Sequence, residues 1–224
     1  KMKSERFRTE LITNVSHDIK TPLTSIINYV DLLQKEDIDN EKVREYLDVL
    51  DRQSSRLKKL IQDLLEASKA STGSINVELE ELDAAVMLSQ VAGEYEEKFK
   101  KNNLDLIIKN DVTPVMIQAD GRHLWRVFDN LMNNINKYAQ PCTRVYIDII
   151  PKDSGAIITF KNVSATPLNI SSDELKERFV RGDSSRNTEG SGLGLSIAES
   201  LMKLMNGTLE LTVDGDLFKV TLEF

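Results

Sequence analysis

The whole chain has only one cysteine and two histidines, and it has no glycine before residue 73. Each of these scarcities excludes a class of architecture. The lone Cys142 cannot form an intramolecular disulfide, which fits a reducing compartment. One cysteine and two histidines are too few soft ligands for a structural zinc site. Because tight turns between strands favour glycine, the glycine-free stretch is predicted to be helical.

Basic charge and long apolar runs are also scarce. The net charge is −7 at pH 7, which argues against nucleic-acid binding as the main activity because phosphate neutralisation needs a basic face. No apolar run is long enough to span a bilayer, and no secretory leader opens the sequence. We therefore expect neither a nucleic-acid partner nor a membrane span within these residues.

Glycine and proline divide the chain into two parts. All ten glycines lie at Gly73 or later, together with four of the five prolines. A polar stretch at 71–74 marks the predicted boundary, which gives a helical part over residues 1–72 and a mixed α/β part over residues 73–224. The predicted fold class is therefore α+β.

The first part is predicted to be an antiparallel helical hairpin with a turn at 36–40. Apolar residues recur at steps of three and four over residues 7–33 and 43–64, as in amphipathic helices. One hairpin cannot bury both apolar stripes within itself, whereas two hairpins can do so as a four-helix bundle. We therefore predict a homodimer, and packing of the hairpin on its own α/β part is the alternative.

The second part alternates strand and helix patterns, which predicts a helix layer on one mixed sheet. Predicted helices cover residues 84–100, 120–138 and 192–205. Predicted strands cover residues 74–81, 104–108, 115–118, 145–150, 156–160, 209–213 and 218–224.

A histidine lies ahead of a proline on the first predicted helix. His17 and Thr21 are four residues apart and share a helix face, and Pro22 is expected to bend or loosen the helix there. A neutral imidazole is a competent nucleophile near pH 7, and the neighbouring Asp18 can take its proton or fix its tautomer. An ordinary surface or core histidine is the alternative, which is how we interpret His123.

Two further patterns suggest phosphate chemistry. Asn130, Asn134 and Lys137 project from one helix face, where an amide oxygen can ligate Mg²⁺ and a lysine can meet phosphate. A glycine turn at 190–194 runs into a helix, whose N-terminus favours anions. It lacks the lysine of a P-loop and does not follow a strand. A solvated polar face and a plain connector are the respective alternatives.

In this order, these motifs resemble those of the sensor histidine kinases of two-component systems. Residues 16–23 resemble the phosphoacceptor box, residues 130–138 the N box, residues 178–183 the F box and residues 190–197 the second glycine box. The resemblance covers nearly the whole chain. It implies a dimeric helical hairpin followed by an α/β sandwich of the Bergerat (GHKL) ATP-binding type, shared with gyrase and the Hsp90 chaperones.

The resemblance also implies an activity, that of an ATP-dependent protein histidine kinase. By this resemblance His17 is expected to accept the phosphoryl group, Asp18 to act as its base, and Thr21 to position a water for dephosphorylation. The phosphoryl group then passes to an aspartate on the receiver domain of a response regulator, and phosphatase activity is a further possibility. The family usually carries a membrane-bound sensor upstream, so we expect the cytoplasmic portion of a bacterial protein anchored in the cell membrane by segments outside this chain.

For the cofactors ATP and Mg²⁺, the resemblance implies that Asn134 coordinates the metal, that Asn130 and Lys137 contact the phosphates and that Tyr138 lies along the nucleotide. The remaining nucleotide contacts implied in this way belong to the F box and the lid: Arg181, Gly190, Gly192, Leu193 and Gly194.

One segment departs from the family pattern. The family usually carries Asp-x-Gly-x-Gly after the strand that ends near Phe160, and its aspartate accepts a hydrogen bond from the adenine amino group. Here Asn162 best matches that aspartate, and no glycine follows before residue 170. An amide oxygen is a weaker acceptor than a carboxylate. The alternative function is therefore a dimeric scaffold or phosphatase with a degraded adenine pocket.

Overall fold

The computed structural model describes residues 2–71, 73–110, 114–168 and 193–224, with the side chains of the first helix described from Ile19 onward. These residues form two compact units. The first unit runs to Ser74, and the second begins at Ile75 and includes the residues from Gly194 to the C-terminus. Among the described residues, no helix has the length and apolar character that crossing a membrane requires.

The first unit is the predicted helical hairpin, built from α1 (Met2–Lys35) and α2 (Glu41–Ser71). The side chain of Asn40 caps α2 by accepting hydrogen bonds from the backbone N–H groups of Lys42 at 3.1 Å and Val43 at 3.3 Å. Gly73 follows the end of α2 with φ at 66°, a left-handed conformation that glycine adopts without strain. Helix α1 runs through Pro22 as one continuous element.

The hairpin buries one apolar stripe and leaves a second one exposed. Leu23 and Val30 of α1 and Leu47 of α2 are buried. The exposed stripe (the heptad seam) repeats every seven residues on both helices, and its side chains are 41% to 49% exposed in the single chain. Its members are Ile19, Ile26 and Leu33 of α1 and Leu50, Leu57 and Leu64 of α2.

The second unit contains ten elements within its described residues. The helices are α3 (Ala84–Lys101), α4 (Gly121–Tyr138) and α5 (Gly194–Leu204). The strands are β1 (Glu80–Asp83), β2 (Asp105–Asn110), β3 (Met116–Ala119), β4 (Arg144–Lys152), β5 (Gly155–Val163), β6 (Thr208–Asp214) and β7 (Leu217–Glu223).

Five of these strands form the predicted mixed sheet. Their order is β2-β4-β5-β7-β6, with β2 and β4 parallel and the other neighbours antiparallel. Alternate side chains of β4, β5 and β7 are buried, as expected for a sheet that is covered on one face. Helix α4 packs on this face, where the rings of Phe128 and Phe160 lie 6.0 Å apart. The predicted α+β class is thereby confirmed.

The predicted strand at 74–81 is wrong, because the strand begins at Glu80 and ends at Asp83, where it pairs with β3. Residues 75–79 (the strap) bond to a helix instead. The backbone N–H of Glu78 donates to the carboxylate of Asp120 at 3.0 Å, and the carbonyl of Asn76 lies 3.1 Å from Nε2 of His123. Side chains at the start of α4 therefore satisfy backbone groups that a strand partner would otherwise meet.

Candidate nucleotide site

Helix α4 begins at a buried carboxylate. Oδ1 of Asp120 accepts hydrogen bonds from the backbone N–H groups of Arg122 at 3.0 Å and His123 at 3.3 Å, as an N-cap does. Burial raises the pKa of Asp120, but hydrogen bonds from the N–H groups of Glu78 and His123 outweigh it and hold that pKa below its usual value. The charged cap fixes where α4 starts, and therefore which side chains share each face.

Along α4, Asn130, Asn134 and Lys137 (the asparagine row) follow one face, as their spacing predicts. Asn130 is buried, Asn134 and Tyr138 are half-buried, and Lys137 is exposed. The row thus passes from the interior of the unit to its surface. This gradient of exposure suits a ligand whose phosphate groups are buried away from water at the inner end of the row. The cation at the outer end of the row can still reach them from the surface.

The start of α5 lies against the deepest member of the row. A Cβ placed at Gly194 would lie 3.4 Å from Oδ1 of Asn130, so the amide lies directly beside the N-terminus of α5. Among the described residues, Nδ2 of Asn130 has no hydrogen-bond partner. A buried donor without a partner costs about 1–3 kcal/mol, and the first N–H groups of a helix attract anions. This pair therefore suits a phosphate group.

A second buried amide offers an acceptor. Asn162 lies near the end of β5 and is 4% exposed, and its Nδ2 donates to the carbonyl of Val163 at 3.2 Å. That bond orients the amide, and within the described ranges Oδ1 has no partner. The unpaired oxygen fits the predicted acceptor for an amino group on a purine.

The segment after β5 is tied to α4 by hydrogen bonds. The backbone N–H of Ala165 donates to the carbonyl of Tyr138 at 2.8 Å, and that of Ser164 donates to the carbonyl of Asp216 at 2.8 Å. The hydroxyl of Ser164 donates to the carbonyl of Thr166 at 2.8 Å. The bond from Ala165 holds the end of β5, and so Asn162, close to the C-terminus of α4. The sequence patterns did not single out Ala165 or Ser164.

The predicted phosphoacceptor residues lie in the other unit. His17 and Asp18 belong to α1, and their side chains are outside the described residues. Thr21 is exposed on the same helix. Arg181, Gly190 and Gly192 also lie outside the described residues, and Leu193 is half-buried directly before α5.

A helical hairpin followed by a mixed sheet, with an asparagine row along one helix and the start of another helix beside it, defines a two-domain class of protein with a candidate phosphate site. Two family models match this chain. Residues 7–73 match the His Kinase A (phospho-acceptor) domain, and residues 119–224 match the histidine kinase-, DNA gyrase B-, and HSP90-like ATPase. The chain therefore belongs to the sensor histidine kinases, which confirms the family that the motifs predicted.

One curated relative is similar to this chain in sequence, and two solved structures share its fold. Sensor protein VanSC of Enterococcus gallinarum is 31% identical over 209 residues, which are 92% of this chain and 57% of VanSC. The chain thus spans little more than half the length of that relative. Full-length ShkA in complex with AMPPNP has a TM-score of 0.77 at 21% identity, over 96% of this chain and 45% of ShkA. ThkA in complex with the response regulator TrrA has a TM-score of 0.65 at 22% identity, over 99% of this chain and 64% of the ThkA chain.

Proposed function

We propose that this chain is a kinase core that transfers the γ-phosphoryl group of ATP to His17 and from there to an aspartate on a response regulator. In this proposal residues 1–72 dimerise and carry the phosphoryl group, and residues 73–224 bind the nucleotide. The observation that carries the proposal is the buried Nδ2 of Asn130 beside the N-terminus of α5, which has no hydrogen-bond partner among the described residues. The match of the phospho-acceptor domain model around His17 supports the other part of the proposal, that His17 receives the phosphoryl group.

The nucleotide lies along α4 in this proposal. Its phosphates meet Asn130, Lys137 and the first N–H groups of α5, and its adenine amino group donates to Oδ1 of Asn162. Tyr138 lies beside the nucleotide between these two ends. Asn134 would hold Mg²⁺ through its amide oxygen, and the metal would neutralise charge on the phosphates. The structure with AMPPNP reported for ShkA supports a nucleotide of this kind.

The bonds made and broken in the phosphoryl transfer involve only groups that the chain and its substrates supply. A ring nitrogen of His17 attacks the γ-phosphorus, a P–N bond forms, the bond to the bridging oxygen breaks, and ADP leaves. Asp18 takes the imidazole proton. A carboxylate of the response regulator then attacks the phosphohistidine, which breaks the P–N bond and returns the imidazole. In this proposal Thr21 positions a water for dephosphorylation.

The partners follow from the family and from the hairpin. The complex of ThkA with TrrA supports a response regulator as the acceptor. A second copy of this chain packs against the heptad seam, because two hairpins can bury both apolar stripes in a four-helix bundle. We place the chain in the bacterial cytoplasm, joined through segments outside it to a sensor in the cell membrane, as its resemblance to sensor kinases implies.

Breaking the heptad seam is expected to produce monomers. The change Leu57→Glu places one unpaired charge from each protomer in the bundle core, and burying such charges is strongly unfavourable. We expect the dimer dissociation constant to rise on the order of a hundredfold or more, measured by analytical ultracentrifugation over a concentration series. Ser55→Glu adds the same charge at an exposed position on α2 and should leave the dimer intact. A dimeric Leu57→Glu variant would mean that the heptad seam is not the dimer interface, and a monomeric wild type would favour a hairpin that packs within its own chain.

Nucleotide binding separates the kinase from a scaffold with a degraded adenine pocket. ATP with Mg²⁺ should raise the unfolding midpoint, because a ligand that binds the folded state stabilises it. The change Asn162→Leu removes the purine acceptor and should weaken ATP binding about tenfold. Asn162→Asp keeps an acceptor at the same place and should bind ATP at least as well as the original residue.

The preference for the adenine amino group provides the control for this prediction. ITP carries a carbonyl where ATP carries the amino group, so it cannot donate to Asn162. We expect the wild type to prefer ATP over ITP in the same thermal assay, and we expect Asn162→Leu to lose that preference. Absence of any thermal shift with millimolar ATP would favour the scaffold.

A further inference from the structure

Helix α3 is bonded to α4 through two polar contacts (the anchor pairs). The hydroxyl of Tyr95 donates to Oδ1 of Asp129 at 2.6 Å, and it lies 3.1 Å from the carbonyl of the same residue. Nδ2 of Asn102, which caps the end of α3, donates to the carbonyl and to Oδ1 of Asn136, both at 2.9 Å. Each anchor pair joins residues that are 34 positions apart in the chain.

This constant offset fixes the register of the two helices. Tyr95 and Asn102 are seven residues apart on α3, and Asp129 and Asn136 are seven apart on α4. Seven residues make about two helical turns, so both anchor pairs lie along one line of contact between helices that run in the same direction. Polar groups at heptad positions specify register, because a slide of one residue leaves them without partners whereas apolar contacts tolerate it.

The anchored face of α4 runs beside the asparagine row. Asp129 directly precedes Asn130, and Asn136 directly precedes Lys137, so the two rows are parallel and about 100° apart around the helix. A rotation or slide of α4 that moved the asparagine row would therefore break both anchor pairs. The anchor pairs therefore fix the rotation of α4 about its axis, and with it the direction in which the asparagine row points.

The first anchor pair is built rigidly. Tyr95 is 3% exposed, and its ring meets that of Phe99 at a centroid distance of 5.9 Å. Asp129 also accepts a hydrogen bond from Nη1 of Arg126 at 3.3 Å, which holds its other oxygen. Burial and the hydrogen bond to Asp129 raise the pKa of Tyr95, so the hydroxyl remains a donor at any ordinary pH.

We propose that Tyr95 and Asn102 are positioning residues that set the rotation of α4 and thereby align Asn130, Asn134 and Lys137 with the nucleotide phosphates. This inference rests on the proposed nucleotide site and adds residues of α3, which the family motifs do not include. It assigns to α3 a part in phosphate recognition without any contact between α3 and the ligand.

The test compares a ligand that has phosphates with one that lacks them. The variants Tyr95→Phe and Asn102→Ala of the full chain each remove one hydrogen-bond donor. We expect each variant to weaken Mg²⁺·ATP binding about three- to tenfold by titration calorimetry. Binding of adenosine, followed by ligand-observed NMR, should change less than about twofold, since adenosine does not use the phosphate ligands. Tyr146→Phe removes a tyrosine hydroxyl from the sheet of the same unit and should change neither affinity.

Each outcome decides the question. Equal weakening of Mg²⁺·ATP and adenosine would mean a general structural defect, and unchanged affinities for both would mean that the anchor pairs are irrelevant to ligand alignment. Either result overturns the inference. A wild-type chain that binds no Mg²⁺·ATP would overturn the proposed function and this inference together, whereas a binding wild type with unaltered variants would overturn this inference alone.

Discussion

Replacing His17 with alanine is expected to abolish transfer of label from γ-labelled ATP to the protein while nucleotide binding survives. The imidazole is the proposed nucleophile and alanine supplies none in its place, so we expect a loss of at least about 10³-fold. The label on the wild type should be acid-labile, as phosphohistidine is. Incorporated label on filtered protein and the ATP-dependent thermal shift measure the two properties on the same samples.

The second histidine supplies a matched control. Nε2 of His123 lies 3.1 Å from the carbonyl of Asn76 and 3.8 Å from Oδ2 of Asp120, which gives it a structural role at the start of α4. The change His123→Gln retains a side-chain donor for that carbonyl and should still incorporate label. Label retained by His17→Ala would show that another residue is the acceptor and would refute the proposed role of His17.

Replacing Asn134 with alanine is expected to remove the dependence of ATP binding on Mg²⁺. The proposed metal ligand is the amide oxygen of this half-buried residue, and the variant leaves the metal with phosphate and water ligands only. We expect affinity for ATP in the presence of Mg²⁺ to fall by about tenfold or more, with little change when the metal is chelated. Calorimetric titrations with and without a chelator measure the difference.

Its neighbour Asn133 provides the comparison. It is also a half-buried asparagine on α4, and it lies about 100° from Asn134 around the helix. Asn133→Ala should therefore keep the effect of Mg²⁺ on ATP affinity. If Asn134→Ala lost the same affinity with and without the metal, the residue would be acting on the nucleotide alone, and the assignment of Asn134 as a metal ligand would be wrong.

Sequence periodicity predicted the individual elements well because each depends on local signals. The helix predicted at 120–138 is α4 (Gly121–Tyr138), with Asp120 as its cap. The closing hairpin turns at Gly215, whose φ of 57° needs a residue that tolerates the left-handed region. The strap was misread as a strand because half-buried residues alternate with exposed ones along it, while its backbone partners lie more than 40 residues away in α4.

The candidate site was predictable only in its parts. The asparagine row follows from helical spacing, but no local pattern indicates that Gly194 lies against Asn130. The anchor pairs were missed for a similar reason, since Tyr95 and Asn102 are recognisable only once their partners in α4 are known. One signal was available. Asn136 lies off the asparagine row in a helix where asparagine is a mediocre helix former, so it needed a partner.

The fastening of the strap to α4 has a mechanical consequence. The chain that leaves Ser74 reaches Asn76 and Glu78 before it enters any strand, and there the cap of α4 holds it. Tension applied to the backbone at that point loads two hydrogen bonds at one helix end, whereas a β-ladder pulled in shear would spread the load along its length. The helix that carries the asparagine row is therefore the first element of its unit to bear any pull on the connecting chain.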